Sequence, residues 1–257
     1  MLNFSKIFLF KSLGGTGKKE SSIIYKSLQG KLHAFTKYVA MEQLDNELSE
    51  ITLEAPHNDI QPFVFLTLDV PELKLFADKK THDHVIPRID IYEMLQKYNG
   101  ENETHTKRYG KDIVVQRFLI HEPPEYLIIV VDRFHKSLWD TQKNPTIITF
   151  PLTDLDMSQF MEDKSKTVKY DIIANVIHDD NRRDELDDSS WRDRQARGTV
   201  KNSMYTAGKP TTGSYRVDIL HQQSGCWFEV QDLHVKPILK EQVQLSESYI
   251  QIWKLQK

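Results

Sequence analysis

Cysteine chemistry is the first possibility that this chain raises, because it contains a single thiol, Cys226. A catalytic cysteine needs a thiolate, an imidazole that takes its proton and a polar group that orients the imidazole. Cys226 lies between Gly225 and Trp227 in a strand-like run, with no cationic neighbour or helix start that would favour a thiolate. We therefore predict that it is a small buried apolar residue. One cysteine also excludes an intrachain disulfide and a paired-cysteine zinc site, and it suits a reducing compartment.

Histidines and paired acids offer the other spacings that could do chemistry. His82 and His84 have the spacing of metal ligands, but no third ligand stands near them in the sequence, so we predict a polar loop and no metal. Paired carboxylates at 179–180 and 187–188 lie in a charged segment, and acid–base catalysis needs groups held in fixed geometry. We interpret them as solvated charges and predict no cofactor.

A glycine-rich stretch, Gly14–Gly17 followed by two lysines, suggests a phosphate-binding loop. That motif requires glycine where Ser12 stands and Ser or Thr where Lys19 stands, so it fails at two positions. We predict instead that the glycines end a helix over residues 1–13.

The composition sets broad limits. With 257 residues, 39% of them hydrophobic, the chain can bury a substantial core. A formal net charge of −3 provides no general attraction to nucleic acid, and we expect no direct sequence-specific binding to it. No apolar run approaches the roughly 20 residues that span a bilayer, so we expect no membrane association.

Apolar patterning predicts more strand than helix. Strands are predicted over 23–38, 63–70, 126–131, 146–150, 170–178, 214–221, 226–231 and 249–253. The run at 126–131 is nearly all apolar, which is typical of a strand covered on both faces.

Other segments have helix or loop patterns. Helical spacing at 91–98 ends at Asn99-Gly100, and a helical turn is predicted within 154–161. The acidic, proline-punctuated segment 41–60 is predicted to be a loop. The balance favours an α+β fold with a large antiparallel sheet.

One charged segment, 179–212, interrupts two strands that have the pattern of hairpin partners. It is rich in both acids and bases and nearly free of aliphatic residues, so we predict a solvated, disordered insertion. Trp191 and Tyr205 could anchor a partner, although a mobile loop without a partner is the simpler interpretation.

Several of these segments together resemble ubiquitin-specific proteases, the peptidase C19-like cysteine proteases. Residues 123–134 resemble the family's strand box, which ends in a basic residue, arginine and phenylalanine, and residues 63–68 resemble its Phe-x-x-Leu-x-Leu strand. Residues 170–178, followed by Gly213-Ser214-Tyr215, resemble its histidine box. Residues 227–232 and 248–250 resemble its closing boxes. The boxes keep family order over nearly the whole chain.

Within the family, the resemblance is greatest to a catalytically degenerate branch that belongs to the tri-snRNP of the pre-mRNA splicing machinery. The runs that carry it are 144–147, 213–216, 227–233 and 245–254. Two departures stand out. The family's N-terminal half, with the nucleophile box and helical thumb, has no counterpart in this chain, and 179–212 replaces a short turn.

The resemblance implies a papain-like ubiquitin-specific-protease fold made mostly of the fingers and palm sheet, with the thumb largely missing. Residues 1–257 would then be a partial domain of this kind.

The resemblance also identifies the positions where the catalytic groups would stand. The histidine position carries Ser214, whose hydroxyl cannot act as a base near neutral pH, and the orienting position carries Gln231. His221 lies seven residues beyond Ser214, roughly 23 Å along an extended strand. His178 could approach Ser214 across the hairpin, although we do not expect it to act as a base. We predict degenerate positions and no catalytic residue.

The expected function is therefore a non-catalytic scaffold module in the nucleus that acts in tri-snRNP assembly or stability. Splicing proteins would be its partners, with ubiquitin or a ubiquitin-like protein as a further candidate. Two alternatives remain open: a ubiquitin carboxyl-terminal hydrolase, and a truncated fragment without an independent role.

Overall fold

The computed structural model describes residues 22–44, 47–52, 55–71, 86–107, 112–136, 141–179 and 213–257. Some predictions lie outside these ranges: the helix over 1–13, the glycine-rich stretch, His82 and His84, the acids at 187–188, Trp191, Tyr205 and nearly all of the insertion. No helix within the described ranges is long and apolar enough to cross a membrane.

A long strand, β1, organises the first sheet. It pairs antiparallel with β2, β3 and β7, and β7 pairs with β6. Pro62 is tolerated in β3 because an edge strand needs ladder donors on one side only. The strands are β1 (Gly30–Leu44), β2 (Glu47–Thr52), β3 (His57–Phe63), β6 (Thr104–Lys107) and β7 (Asp112–Glu122).

Residues 23–28 form a helix, α1 (Ile23–Leu28), so the prediction of a strand there is wrong. The β-branched start is only a weak local preference, and hydrogen bonds from the Lys26 and Gln29 N–H groups to the Ser22 and Tyr25 carbonyls override it. Gly30 follows the helix because a Cβ there would lie 2.5 Å from the Phe63 ring.

The prediction of a loop over 41–60 was also wrong, because most of the described residues in this range belong to the end of β1, all of β2 and the start of β3. The cause is visible in β3, where every residue before Phe63 is exposed. A strand that buries neither face needs no apolar alternation, so its composition resembles that of a loop.

The second sheet has eight strands within the described ranges: β4 (Phe65–Asp69), β8 (Tyr126–Asp132), β12 (Leu155–Asp156), β13 (Lys169–Asp179), β14 (Ser214–His221), β15 (Cys226–Gln231), β16 (His234–Ile238) and β17 (Ser248–Leu255). Their order is β16-β15-β14-β13-β17-β8-β4, with β12 beside β13. Among these strands only β4 and β8 pair in parallel, which confirms the predicted large antiparallel sheet and the pairing of the two strands around the insertion.

Shorter elements lie between the strands of the two sheets along the chain. Two small strand pairs and several single turns make up this group. They are β5 (Arg88–Asp90) with β11 (Ile147–Thr149), β9 (Phe134–Lys136) with β10 (Thr141–Lys143), the helices α2 (Ile91–Leu95) and α3 (Lys240–Gln244), and 3₁₀ turns at Gln96–Tyr98 and Ser158–Phe160.

The predicted helix at 91–98 is confirmed as α2 and its 3₁₀ extension. Asp90 caps its start, where the carboxylate accepts a 2.8 Å hydrogen bond from the Tyr92 N–H. Gly100 lies just beyond its end with φ +82°, a conformation that glycine adopts without steric cost.

The core lies on one face of the second sheet. Leu66, Leu127, Ile129 and Trp253 point to this face and are essentially inaccessible to solvent, together with Leu95 of α2. Burying each such aliphatic side chain contributes about 1.5–3 kcal/mol. This packing holds β8 and β17 rigidly at the centre of the sheet.

The opposite face of the second sheet is less covered than the sequence predicts. Ile128 and Val130 of β8 remain partly exposed, so the strand at 126–131 is fully covered on one face only. Towards the β16 edge the exposure increases, and Tyr215, Ile219 and Val235 are exposed. We call the residues Tyr215, Ile219, Phe228, Val230 and Val235 the open face.

Candidate functional site

The hairpin of β14 and β15 positions the residues that the family resemblance singles out. Val217 lies opposite Val230 in this antiparallel pair. Because side chains alternate along a strand, Ser214, Arg216 and Asp218 lie on the face opposite the open face. Glu229 and Gln231 of β15 lie on that same face, so the two predicted positions are brought together.

Ser214 and Gln231 form a direct contact. The Gln231 side-chain amide donates a hydrogen bond of 2.8 Å to the Ser214 hydroxyl oxygen. Neither a hydroxyl nor an amide can take a proton near neutral pH, so this pair cannot supply general-base catalysis.

Charged groups surround the pair on the same face. The Arg216 guanidinium forms an ion pair with Glu229 and lies 3.6 Å from an Asp179 oxygen, while Lys236 contacts Glu229 at 2.8 Å. The cations Arg216 and Lys236 hold the pKa of Glu229 below its ordinary value despite the opposing effect of burial. These ion pairs rigidify the hairpin beside Ser214.

His178 lies close to Ser214 along the sheet but on the other face. It is the cross-strand neighbour of Tyr215, and its ring packs 5.0 Å from the Tyr215 ring and 5.3 Å from that of Phe134. Its side chain is buried in this aromatic cluster. The imidazole therefore faces away from the Ser214–Gln231 pair.

His221 and Cys226 lie at the opposite end of the hairpin from Ser214, as cross-strand neighbours. His221 Nδ1 is 2.8 Å from the Ser224 hydroxyl, and the Cys226 thiol lies 3.6 Å from the Ser224 carbonyl oxygen. Cys226 is exposed, which corrects the prediction that it is buried. The prediction failed because Cys226 shares its face with Phe228 and Val230, and that face is open.

A row of polar side chains lies beside the site on the face of the second sheet that packs against the core. We call this face, opposite the open face, the covered face. Gln251, Asn175, Asp218 and Glu229 are successive cross-strand neighbours on β17, β13, β14 and β15. All four are buried. Burial raises the pKa of Asp218 to about 6, which the nearby Arg216 only partly offsets. The sequence predicted the alternation along β14 but not this continuous polar row.

Arg133 is a buried charge whose role sequence reasoning missed. Its guanidinium donates to the backbone carbonyls of Ser248, Asn144 and Thr146 at 2.8–3.3 Å. Burial lowers its pKa to about 10. Arg133 thereby joins the start of β17 to the segment before β11. The signal was the arginine and phenylalanine at the end of the strand box.

Comparison with known proteins places this geometry in a family. Residues 8–253 match the family model described as ubiquitin carboxyl-terminal hydrolase. The human protein named ubiquitin carboxyl-terminal hydrolase 39 is 36% identical, over 96% of this chain and 40% of its own length. The probable mRNA-splicing protein ubp10 of Schizosaccharomyces pombe is 29% identical, over 95% of this chain and 45% of its own. The pre-mRNA-splicing factor SAD1 of Saccharomyces cerevisiae is 23% identical, over 98% of this chain and 47% of its own length.

Solved structures share the fold. Ubp8 in the yeast SAGA DUB module bound to ubiquitin aldehyde superimposes with a TM-score of 0.59 at 18% identity, over 97% of this chain and 46% of that one. The chain spans less than half the length of these relatives. Its sheet-rich structure with short helices is the predicted α+β class and matches the ubiquitin-specific-protease fold. The family match covers nearly all of the sequence, and the chain belongs to the ubiquitin carboxyl-terminal hydrolase family.

Proposed function

We propose that this chain is a non-catalytic scaffold module of pre-mRNA splicing, acting in the nucleus through assembly or stability of the tri-snRNP. The observation that carries the proposal is the Ser214–Gln231 hydrogen bond at the positions where the family resemblance places the imidazole and its orienting group. Two similar proteins are named as splicing proteins, and this supports pre-mRNA splicing as the process in which the chain acts.

The chemistry of the pair supports the absence of catalysis. Proton transfer from a thiol requires a base within hydrogen-bond reach. Ser214 offers a hydroxyl, and the buried imidazole of His178 faces the other side of the sheet. Cys226 lies at the far end of the hairpin, beside Ser224.

The open face supports a binding role. The side chains of Tyr215, Ile219 and Val235 are 49%, 41% and 63% exposed, although they lie on strands of the second sheet. Adjacent exposed apolar side chains of this kind mark protein-interaction surfaces. We propose that a protein of the tri-snRNP packs on this face.

Affinity capture from nuclear extract tests the proposal. The wild-type chain should recover tri-snRNP proteins, and Ile219→Lys with Val235→Lys should lose them because two charges would be buried at the contact. Asn102→Lys, at an exposed position in the bend before β6, is the control and should behave as the wild type. Capture of no splicing protein by the wild type would refute the proposal.

The alternative function is ubiquitin carboxyl-terminal hydrolysis, which the family description favours. Ubiquitin binding is a separable question, because a surface for ubiquitin can outlast catalysis. Calorimetric titration with ubiquitin measures it directly. Binding without turnover would add ubiquitin to the partners, and binding with turnover would replace the scaffold proposal.

A further inference from the structure

A crevice of about 420 Å³ opens beside the polar row, between the β14–β16 edge of the second sheet and the segment around α3. Asp218 and Glu229 line its floor, and Gln242 and Ser246 line the side next to α3. Ser214 and Gln231 are not among the lining residues, so the crevice is distinct from the degenerate catalytic pair.

Asp218 is the unusual residue of this crevice. Its side chain is 1% exposed, and one carboxylate oxygen has no hydrogen-bond partner among the described residues. A buried carboxylate without a full set of donors is costly, and native proteins rarely retain one without a reason. A donor from a bound group would satisfy it.

The surrounding charges indicate which donor. The two cations, Arg216 and Lys236, are both ion-paired with Glu229, and Arg216 also lies near Asp179. Arg216 and Lys236 line the crevice together with Asp218 and Glu229, and Asp218 is the carboxylate that forms no ion pair among the described residues. With Asp179 beside Arg216, outside the lining, the two cations face three carboxylates, and this excess of one negative charge favours a positively charged guest.

Part of the crevice wall is apolar. Pro237, Ile238 and Leu245 line it next to the charged groups. An aliphatic stem that ends in a cation matches this combination, because lysine and arginine bury their methylenes while the charged end pairs with an acid.

We propose that this crevice binds the guanidinium or ammonium group of an arginine or lysine side chain presented by a partner protein, with Asp218 as its counter-ion. The inference does not depend on the splicing role and holds for any partner with a suitably placed basic residue. Burial raises the pKa of Asp218 to about 6, so the counter-ion is mainly charged at neutral pH.

The test is a nuclear magnetic resonance titration of the ¹⁵N-labelled chain with N-acetyl-arginine N-methylamide at pH 7.5. Saturable shifts should appear at the Asp218, Glu229 and Ser246 amides, with a Kd on the order of millimolar for a single side chain. The capped citrulline, which has nearly the same shape without the charge, should bind at least about tenfold more weakly.

Three variants distinguish loss of the counter-ion from loss of the fold. Asp218→Asn should weaken arginine binding at least about tenfold. Asp232→Asn makes the same change in an exposed turn and should leave binding unaltered. Leu245→Trp, at an exposed position of the wall, should block binding while Asp218 stays intact.

Four outcomes would overturn the proposal. Three of them are the absence of saturable shifts in the wild type, equal binding of capped arginine and capped citrulline, and unchanged affinity in Asp218→Asn. A folded spectrum of Leu245→Trp with retained binding would equally exclude the crevice as the site.

Discussion

Near the β16 edge of the second sheet, polar side chains are buried on one face and apolar side chains are exposed on the other, which is the reverse of the usual arrangement. On the covered face, Asn175, Asp218 and Glu229 form a buried polar row. On the open face of the same strands, Tyr215 and Ile219 are exposed. At the centre of the sheet the covered face is apolar again, around Leu127 and Trp253. The sheet centre therefore serves stability, and its edge departs from what stability alone would select.

This difference between the centre and the edge of the sheet indicates where a partner protein is expected to bind. A buried polar group without a hydrogen-bond partner costs free energy, which a donor or acceptor from a partner protein can offset. An exposed apolar group is stabilised when a partner protein covers it. The Ser214–Gln231 pair lies on this edge as well. The proposed loss of catalytic groups and the proposed binding features thus coincide in one part of the molecule.

The largest expected effect is at the sheet centre. Trp253→Ala should lower the free energy of unfolding by about 3–5 kcal/mol, because it leaves a cavity in the core. Ile252→Ala, the next residue on the partly exposed side of the same strand, should cost about 1 kcal/mol. Urea unfolding measures both, and equal costs would contradict the distinction between the faces.

The pH dependence of stability tests the polar row. The pKa of Asp218 is about 6 in the folded chain and about 4 when unfolded, so the folded state holds the proton more tightly. Its contribution is therefore fully favourable below about pH 4 and is lost as the pH rises through 6.

Asp218→Asn should remove this dependence and raise the free energy of unfolding at pH 7 by up to about 3 kcal/mol. Denaturant titrations from pH 4 to 7 measure the effect, with Asp232→Asn as the control. A wild-type stability that does not fall relative to Asp218→Asn over this range would contradict the burial of a charged Asp218.

The degenerate pair should contribute a smaller amount. Gln231→Ala and Ser214→Ala should each lower stability by about 1 kcal/mol, since each removes the same hydrogen bond. The double variant should cost clearly less than the sum of the two. Additive costs in this double-mutant cycle would show that the two side chains do not interact.

The open face should matter least for stability. Ile219→Lys and Val235→Lys should each change the free energy of unfolding by no more than about 0.5 kcal/mol, because both side chains are already exposed. Thermal unfolding of the purified chain measures this. A loss comparable to that of Trp253→Ala would mean that the face is packed within the chain.

The sequence predicted the strands well where one face of the strand is buried. The predictions failed where neither face is buried, or where the buried face is not the expected one. β13, β14, β15 and β17 were predicted within a residue or two of their bounds, because alternation and β-branched runs mark them. β2 and β3 were missed, and for β3 the reason is that an exposed strand carries the composition of a loop.

The candidate site was predictable to a similar degree. Family spacing identified Ser214 and Gln231, and the structure brings them into contact. The exposure of Cys226 and the isolation of Asp218 were not predictable, because they depend on which face of β14 and β15 is covered. Alternation alone fixes the two faces but not which one faces the core.

Turnover of ubiquitin with a fluorogenic C-terminal leaving group tests the proposed absence of catalysis most directly. The purified wild-type chain should release no more fluorophore than buffer, and Cys226→Ala should give the same trace, because the Ser214–Gln231 pair has no base to activate a thiol. Release by the wild type that disappears in Cys226→Ala would contradict the proposal and identify the chain as a hydrolase.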